Sequence, residues 1–223
     1  MDAAATFNSI MQQRRSVRFF ADTPVEQAVI ESIIATAGSA PSGANKQPWR
    51  FVAIQDPSIK RDVREAAEAE ETTFYASRAS ERWLEDLHPF GTDANKPFLE
   101  TAPWLIAVFK LARSEEDKND AEQVYYANES VGIACGFLLA AIHNAGLVAL
   151  THTPSPMGFL ASILRRPSHE RAFLLIPVGY PAADCVVPAI KRKGLDEIMV
   201  IDRPAAQPSP PTPPIAPCDT ADQ

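Results

Sequence analysis

Nothing in this chain is spaced to hold a metal or to run thiol redox chemistry. Cys135, Cys185 and Cys218 are odd in number, far apart and without a CxxC pair. His88, His143, His152 and His169 include no i, i+4 pair beside an acid, so no metal centre is expected and the cysteines read as reduced, mostly buried thiols. GxSxG, P-loop and GxGxxG signatures are missing, which leaves hydrolase, nucleotide-kinase and dinucleotide-fold readings without support. No stretch approaches the roughly 18 apolar residues of a membrane span, and the N-terminus lacks a basic segment followed by an apolar run. A cytoplasmic protein without a membrane partner is expected. There is also no basic surplus: 21 Lys and Arg stand against 28 Asp and Glu, a net charge of −7. A nucleic-acid partner is therefore not expected. No repeat of 20 to 50 residues is visible.

What is present suffices for one globular domain with a tail. The 223 residues are 46% hydrophobic, enough for a core. Thr23-Pro24-Val25-Glu26 reads as a capped helix start, and the helix it opens carries Val29, Ile30, Ile33, Ile34 and Ala37 before stopping at Gly38. Strands are expected at 51–54, 104–111, 147–150 and 173–178, a helix capped by Asp56-Pro57, and a short helix at 159–164. Alternating strands and helices argue for a layered α/β or α+β sheet. Residues 70–100 mix charge, aromatics and breakers without a period and are expected to form an active-site lid; 114–120 reads as a solvent loop. The helix at 128–145 is apolar around nearly its whole circumference, so it is expected to be buried on all sides, with a homodimer interface covering part of it. After Arg203, seven prolines between Pro204 and Pro217 imply a disordered polyproline tail over 204–223.

Three stretches collect cations and bare backbone, and together they read as an anion cradle suited to a flavin phosphate. Arg14, Arg15, Ser16 and Arg18 pack three guanidinium groups and a hydroxyl into five residues, which suits a phosphate dianion and equally suits a solvated helix end. Pro41-Ser42-Gly43-Ala44 lets backbone amides approach a planar ligand, or is an ordinary turn. Lys191-Arg192-Lys193 is a third cationic run, or a solvated face. Thr151 and Thr153 stand at a strand end, where sheets place ligands, and Thr153 can also cap the next helix. Glu71 and Tyr75 share one face of a helical turn at i, i+4, with Lys96 able to reach them from the far end of the lid. An acid, a phenol and an ammonium can hold an amino-acid zwitterion; surface charges on a mobile loop are the alternative.

The segments Arg-Arg-Ser-Val-Arg at 14–18, Thr-Ala-Gly-Ser-Ala-Pro-Ser-Gly-Ala at 36–44, Pro48-Trp49, Thr101-Ala102-Pro103, Ile133-Ala134-Cys135-Gly136, Asn144-Ala145-Gly146-Leu147-Val148 and Pro177-Val178-Gly179-Tyr180-Pro181 occur in one order over about residues 10–200. They resemble the flavin-dependent nitroreductase superfamily and, with Glu71, Tyr75, Lys96 and Thr153, its iodotyrosine deiodinase branch. The resemblance implies an α+β fold, with a central mixed sheet flanked by helices in an intertwined homodimer, and an FMN-binding domain over residues 1–203. It implies that Arg14, Arg15, Ser16 and Arg192 hold the FMN phosphate and polar ring edge, with Arg18 in support. Pro41, Ser42 and Gly43 would line the flavin, Thr151 would lie nearby and Thr153 would bond flavin N5 as the catalytic residue. Ala44, Glu71, Tyr75 and Lys96 would bind a halotyrosine. The implied activity is reductive dehalogenation of mono- and diiodotyrosine, with NAD(P)H or another reductant as electron source. A general NAD(P)H-dependent nitroreductase or quinone reductase, and a non-catalytic flavin-binding module, are the rival readings.

Overall fold

The computed structural model describes residues 2–112 and 124–202. The expected loop at 114–120 and the proline-rich tail lie outside them. The chain divides after Pro188, and the two units are described separately.

β2 (Trp104–Leu111) is the centre of the first unit and was legible to the residue, because eight successive positions are all apolar except Lys110. Its side chains alternate between two cores. Trp104, Ile106 and Val108 pack with Ile30, Ile33, Val131, Leu138 and Ile142, from α2 (Gln27–Gly38) and α6 (Ala127–Asn144). Leu105, Ala107 and Phe109 face the other way, onto Val63, Ala67, Leu99 and Leu160, from α3 (Pro57–Thr73), α5 (Phe98–Thr101) and α7 (Gly158–Ile163). The sheet is thus sandwiched between helices.

The strand order is β1-β2-β4-β3. β1 (Trp49–Ile54) and β4 (Glu170–Gly179) flank β2, and the short β3 (Val148–Ala149) adds to β4, every pairing antiparallel. The parallel element among the described residues is an isolated bridge outside the four strands, between Ser16 and Ala149, secured by Val17 N donating to Ala149 O at 3.1 Å. This bridge brings the residues after α1 (Asp2–Gln13) beside the strand end that leads to Thr151.

Local signals mostly held. Asp56 caps α3, its carboxylate accepting from the amides of Ser58 and Ile59, with Pro57 in the first turn. The start of α2 is different from expectation: the helix begins at Gln27, and Thr23 does not cap it. Val25 is buried and its carbonyl accepts from the Trp104 indole at 2.8 Å. That long-range bond holds residues 23–26 out of the helix against their local preference.

The single chain covers only part of α6. Val131, Ala134, Cys135, Leu138 and Ile142 face the core, but Ile133 and Phe137 are 44% and 40% exposed in the single chain. With Phe7, Val29 and Ala140, Phe137 lines an apolar groove of about 890 Å³. Cys135 and Cys185 are free thiols, and burial pushes the Cys135 thiol up to about 11.

The expected lid is more regular than its sequence suggested. α3 runs through Thr73 into a π-helical turn, Phe74–Arg78, closed by Ala79 N donating to Phe74 O at 2.9 Å. α4 (Glu81–Leu87) follows, capped by the Ser80 hydroxyl, and Gly91 turns the chain with φ 56°. Periodicity failed to show α4 because seven residues are too few to establish it. The second unit contains a short helix, α8 (Leu195–Ile198), preceded by Lys191-Arg192-Lys193.

Gly179 pairs with Val148, and a Cβ there would lie 2.5 Å from Pro103 Cδ. A proline ring has no rotamer with which to yield, so Gly179→Ala is expected to destabilise by ~1–3 kcal/mol in urea unfolding. An unchanged midpoint would show that the strand end carrying β3 shifts freely.

Candidate active site

Residues far apart in sequence meet under the lid. Arg18, Glu71, Tyr75, Lys96, Thr151, His152, Thr153 and Ser155 line one cavity of about 250 Å³, with Phe74 and Trp83 forming an aromatic wall. Phe74 meets both Tyr75 and Trp83 edge to face, at 5.3 and 4.8 Å between centroids.

The charged centre of the cavity is an ion pair. Lys96 Nζ lies 3.3 Å from Glu71 Oε2, with side chains only 2% and 13% exposed. The ammonium also donates to Thr92 Oγ1 at 3.2 Å and to the Asp93 carbonyl, and the Lys96 amide donates to Glu68 Oε1 at 2.7 Å. A buried ammonium needs this full set, since each unmade bond would leave it desolvated without compensation. Tyr75 sits on the same helical face as Glu71, its ring 5.7 Å from Lys96 Nζ. Its hydroxyl donates to Thr92 O at 3.3 Å. Burial pushes the phenol above its ordinary range.

Thr151 and Thr153 are exposed, while His152 between them is buried. This is the period-two alternation of an extended strand end, where His152 exchanges backbone bonds with Leu175. The two threonine hydroxyls therefore face one side, where a ligand can reach them. His152 points inward against Phe98, at 5.8 Å between ring centroids. Its Nε2 is buried without a hydrogen-bond partner among the described residues. Burial, then the nearby Lys96 and Arg18 charges, push its pKa down to about 3, so it is neutral at ordinary pH. Reading the motif as threonines alone missed this residue; the strict alternation was the available signal.

The predicted residues fall into distinct groups. Arg18 joins the lid cavity, where burial lowers its guanidinium pKa, and stands 6.0 Å from the Phe90 ring centre. Arg14, Arg15 and Ser16 follow α1, and Arg15 Nη1 donates to the carbonyls of Gln12 and Arg14. Pro41, Ser42, Gly43 and Ala44 lie elsewhere. Gly43 N donates to Ser130 Oγ at 3.3 Å, and a Cβ on Gly43 would come within 3.0 Å of Tyr125 O, so this loop docks at the start of α6. The residues before Arg14 dock at the end of α6, where His143 Nε2 lies 2.9 Å from Ile10 O. Thirteen residues of helix separate Ser130 from His143, about 20 Å at 1.5 Å per residue. The two groups are thus anchored at opposite ends of α6. Arg192 lies in the second unit.

The 41–47 loop is strained and carries an available donor. Ala44, Asn45 and Gln47 have φ of 49°, 55° and 45°, left-handed values that cost non-glycine residues energy. The amides of Gly43, Asn45, Lys46 and Gln47 are bonded to Ser130, Ser42, Gly43 and the Ser42 hydroxyl. The Ala44 amide donates to none of the described residues. Ala44 lines a second cavity, of about 730 Å³, with Asn45, Gln47, Trp49 and Val124.

Residues 11–180 match the model of the nitroreductase family. An iodotyrosine deiodinase of Haliscomenobacter hydrossis is 56% identical over 201 residues, covering 90% of both chains. The human iodotyrosine deiodinase 1 is 47% identical over 196 residues, 87% of this chain and 68% of that one. Among solved structures, oxidised iodotyrosine deiodinase bound to FMN and 3-iodo-L-tyrosine superposes with a TM-score of 0.74 at 30% identity, covering 88% of this chain and 97% of that one.

The buried neutral histidine makes stability depend on pH in a predictable direction. Its folded-state pKa of about 3 lies below the ordinary 6.5, so the unfolded chain takes up the proton first. Stability then falls as pH drops from about 6.5 towards 3, by up to ~1.4 kcal/mol per pH unit. Urea unfolding of His152→Asn should lack this share of the acid-side decline, and identical slopes in both proteins would contradict it.

Proposed function

The chain belongs to the nitroreductase family, and from that premise we propose that it is an FMN-dependent enzyme that reductively removes iodide from mono- and diiodotyrosine. The carrying observation is the Glu71–Lys96 pair enclosed with Tyr75 in the lid cavity. An amino-acid zwitterion entering between the two side chains leaves both compensated: Glu71 takes the ammonium and Lys96 the carboxylate, while Tyr75 adds a phenolic hydrogen bond. General nitroaromatic or quinone reduction gives no reason for such a clamp.

The residues present suit FMN chemically. Arg14, Arg15 and Ser16 would hold its phosphate and polar ring edge, with Arg18 in support; the assignment of Arg192 rests on the family resemblance alone. Pro41, Ser42 and Gly43 would line it, and the outward threonines, Thr151 and Thr153, offer hydroxyls at the strand end. When bound, the flavin supplies the two electrons that, with one proton, replace iodine by hydrogen and release iodide. Thr153 would offer its hydroxyl to flavin N5, a role that rests on the family resemblance. Ala44 directs its unclaimed amide at the substrate phenolate, and Phe74 and Trp83 exclude water from the clamp, which strengthens its charge contacts. NAD(P)H or another reductant is the proposed electron source.

A homodimer is part of this reading. The 41–44 loop docks at the start of α6 and the residues before Arg14 at its end; in the proposed dimer a second copy would bring its own loop towards the first copy's arginines. The exposed Ile133 and Phe137 on α6 supply the apolar face such a contact needs. We further propose that residues 1–203 act as one FMN-binding domain with 204–223 as its tail. A cytoplasmic setting keeps the dispersed thiols reduced.

Glu71→Gln is expected to raise the iodotyrosine Kd at least tenfold in flavin-fluorescence titrations, and Thr153→Ala to lower kcat while leaving Kd within twofold. An unchanged Kd in the first variant would sink the clamp. Sedimentation should give twice the 24.3 kDa chain mass, and Phe137→Glu should shift it towards the monomer and lose flavin together. A flavin-loaded monomer would refute the shared site.

A further inference from the structure

One charged side chain outside the cavity ties the lid to the segment carrying the threonines. Arg78 closes the π-helical turn that follows α3, three residues beyond Tyr75. Its Nη1 donates to the Ser155 carbonyl at 2.8 Å. Its Nη2 donates to the Glu70 carbonyl at 2.8 Å and to Glu70 Oε2 at 2.9 Å. Glu70 immediately precedes Glu71, and Ser155 lies two residues after Thr153 and itself lines the cavity. Arg78 does not line it, so the guanidinium acts from behind.

The geometry has a specific consequence for the clamp. A helix that ends in a π turn has lost its regular ladder there, and the lid beyond it packs few residues into a core: none of α4 is buried. Val63 and Ala67 anchor α3 in the core, but none of residues 68–95 is buried, so Glu71 and Tyr75 depend on polar contacts for their register against Thr151 and Thr153. A planar guanidinium that donates at once to two carbonyls and a carboxylate fixes both distance and orientation, as a lysine ammonium cannot.

We propose that Arg78 is a positioning residue, a latch that registers the lid's Glu71 and Tyr75 against the Thr151–Thr153 strand end and so sets affinity for the substrate's zwitterion. The proposal rests on the halotyrosine reading of the site. It assigns Arg78 no contact with substrate or flavin, and its effect should fall on binding and lid order, not on the chemical step.

The test compares wild-type FMN-loaded enzyme with Arg78→Gln and Arg78→Lys. Arg78→Gln should raise the iodotyrosine KM at least tenfold with kcat within threefold and FMN occupancy unchanged, and Arg78→Lys should fall between. In the flavin-free protein, hydrogen exchange across residues 79–91 should speed up in Arg78→Gln and recover partly in Arg78→Lys. A KM within twofold of wild type, or unaltered exchange in the lid, overturns the latch. Loss of FMN or a collapse of kcat in both variants also overturns it, because Arg78 would then be a general structural residue. Wild-type enzyme that neither binds nor dehalogenates iodotyrosine would instead overturn the functional reading on which the latch stands.

Discussion

The fold depends on burying one strand on both faces. β2 has no solvent side, so helices must cover it twice, and the alternation of Leu105, Ala107 and Phe109 with Trp104, Ile106 and Val108 decides which helix goes where. The α3–α5–α7 layer carries the acid and phenol of the lid on its outer end. The α2–α6 layer carries the 41–47 loop and the face that a second copy would cover. The chemistry is assembled at the margins of these layers, where packing leaves room for it.

Features set by local sequence were readable; features set by distant contacts were not. β2 and the Asp56 cap follow from consecutive residues, and the i, i+4 relation of Glu71 and Tyr75 follows from helix geometry. The start of α2 was misread because Trp104, 79 positions away, claims the Val25 carbonyl. The separate docking of Arg14–Ser16 and Pro41–Ala44 was equally illegible: both look like anion-binding segments, and nothing local says that their surroundings anchor at opposite ends of α6. The meeting of Lys96 with Glu71 was one of two open readings of the residue types, which the family resemblance favoured, since the residues between them carry no periodic signal for it. His152 was overlooked between two more obviously useful threonines, although its inward place follows from the same alternation that turns them outward.

Strain and burial are concentrated where ligand contacts are proposed. Three non-glycine residues within Ala44–Gln47 adopt left-handed backbone, held by the Ser42 hydroxyl and by Gly43 docking against Ser130 and Tyr125. The surrounding contacts thus maintain a backbone shape that local preference opposes, and the shape leaves the Ala44 amide unclaimed. A buried His152 nitrogen without a hydrogen-bond partner among the described residues is a second local cost beneath the lid.

The Glu71–Lys96 pair can be viewed as a charge-parity filter. Lys96 is buried and the Glu71 side chain is largely covered, and the two face each other at 3.3 Å. A ligand bearing only a carboxylate would occupy Lys96 and strand Glu71 in a dry cavity; one bearing only an amine would strand Lys96. Either leaves a desolvated, uncompensated ion, a far larger penalty than one missing contact. On the proposed reading the cavity would disfavour singly charged mimics through what they leave behind, and would favour molecules whose charged end sums to zero.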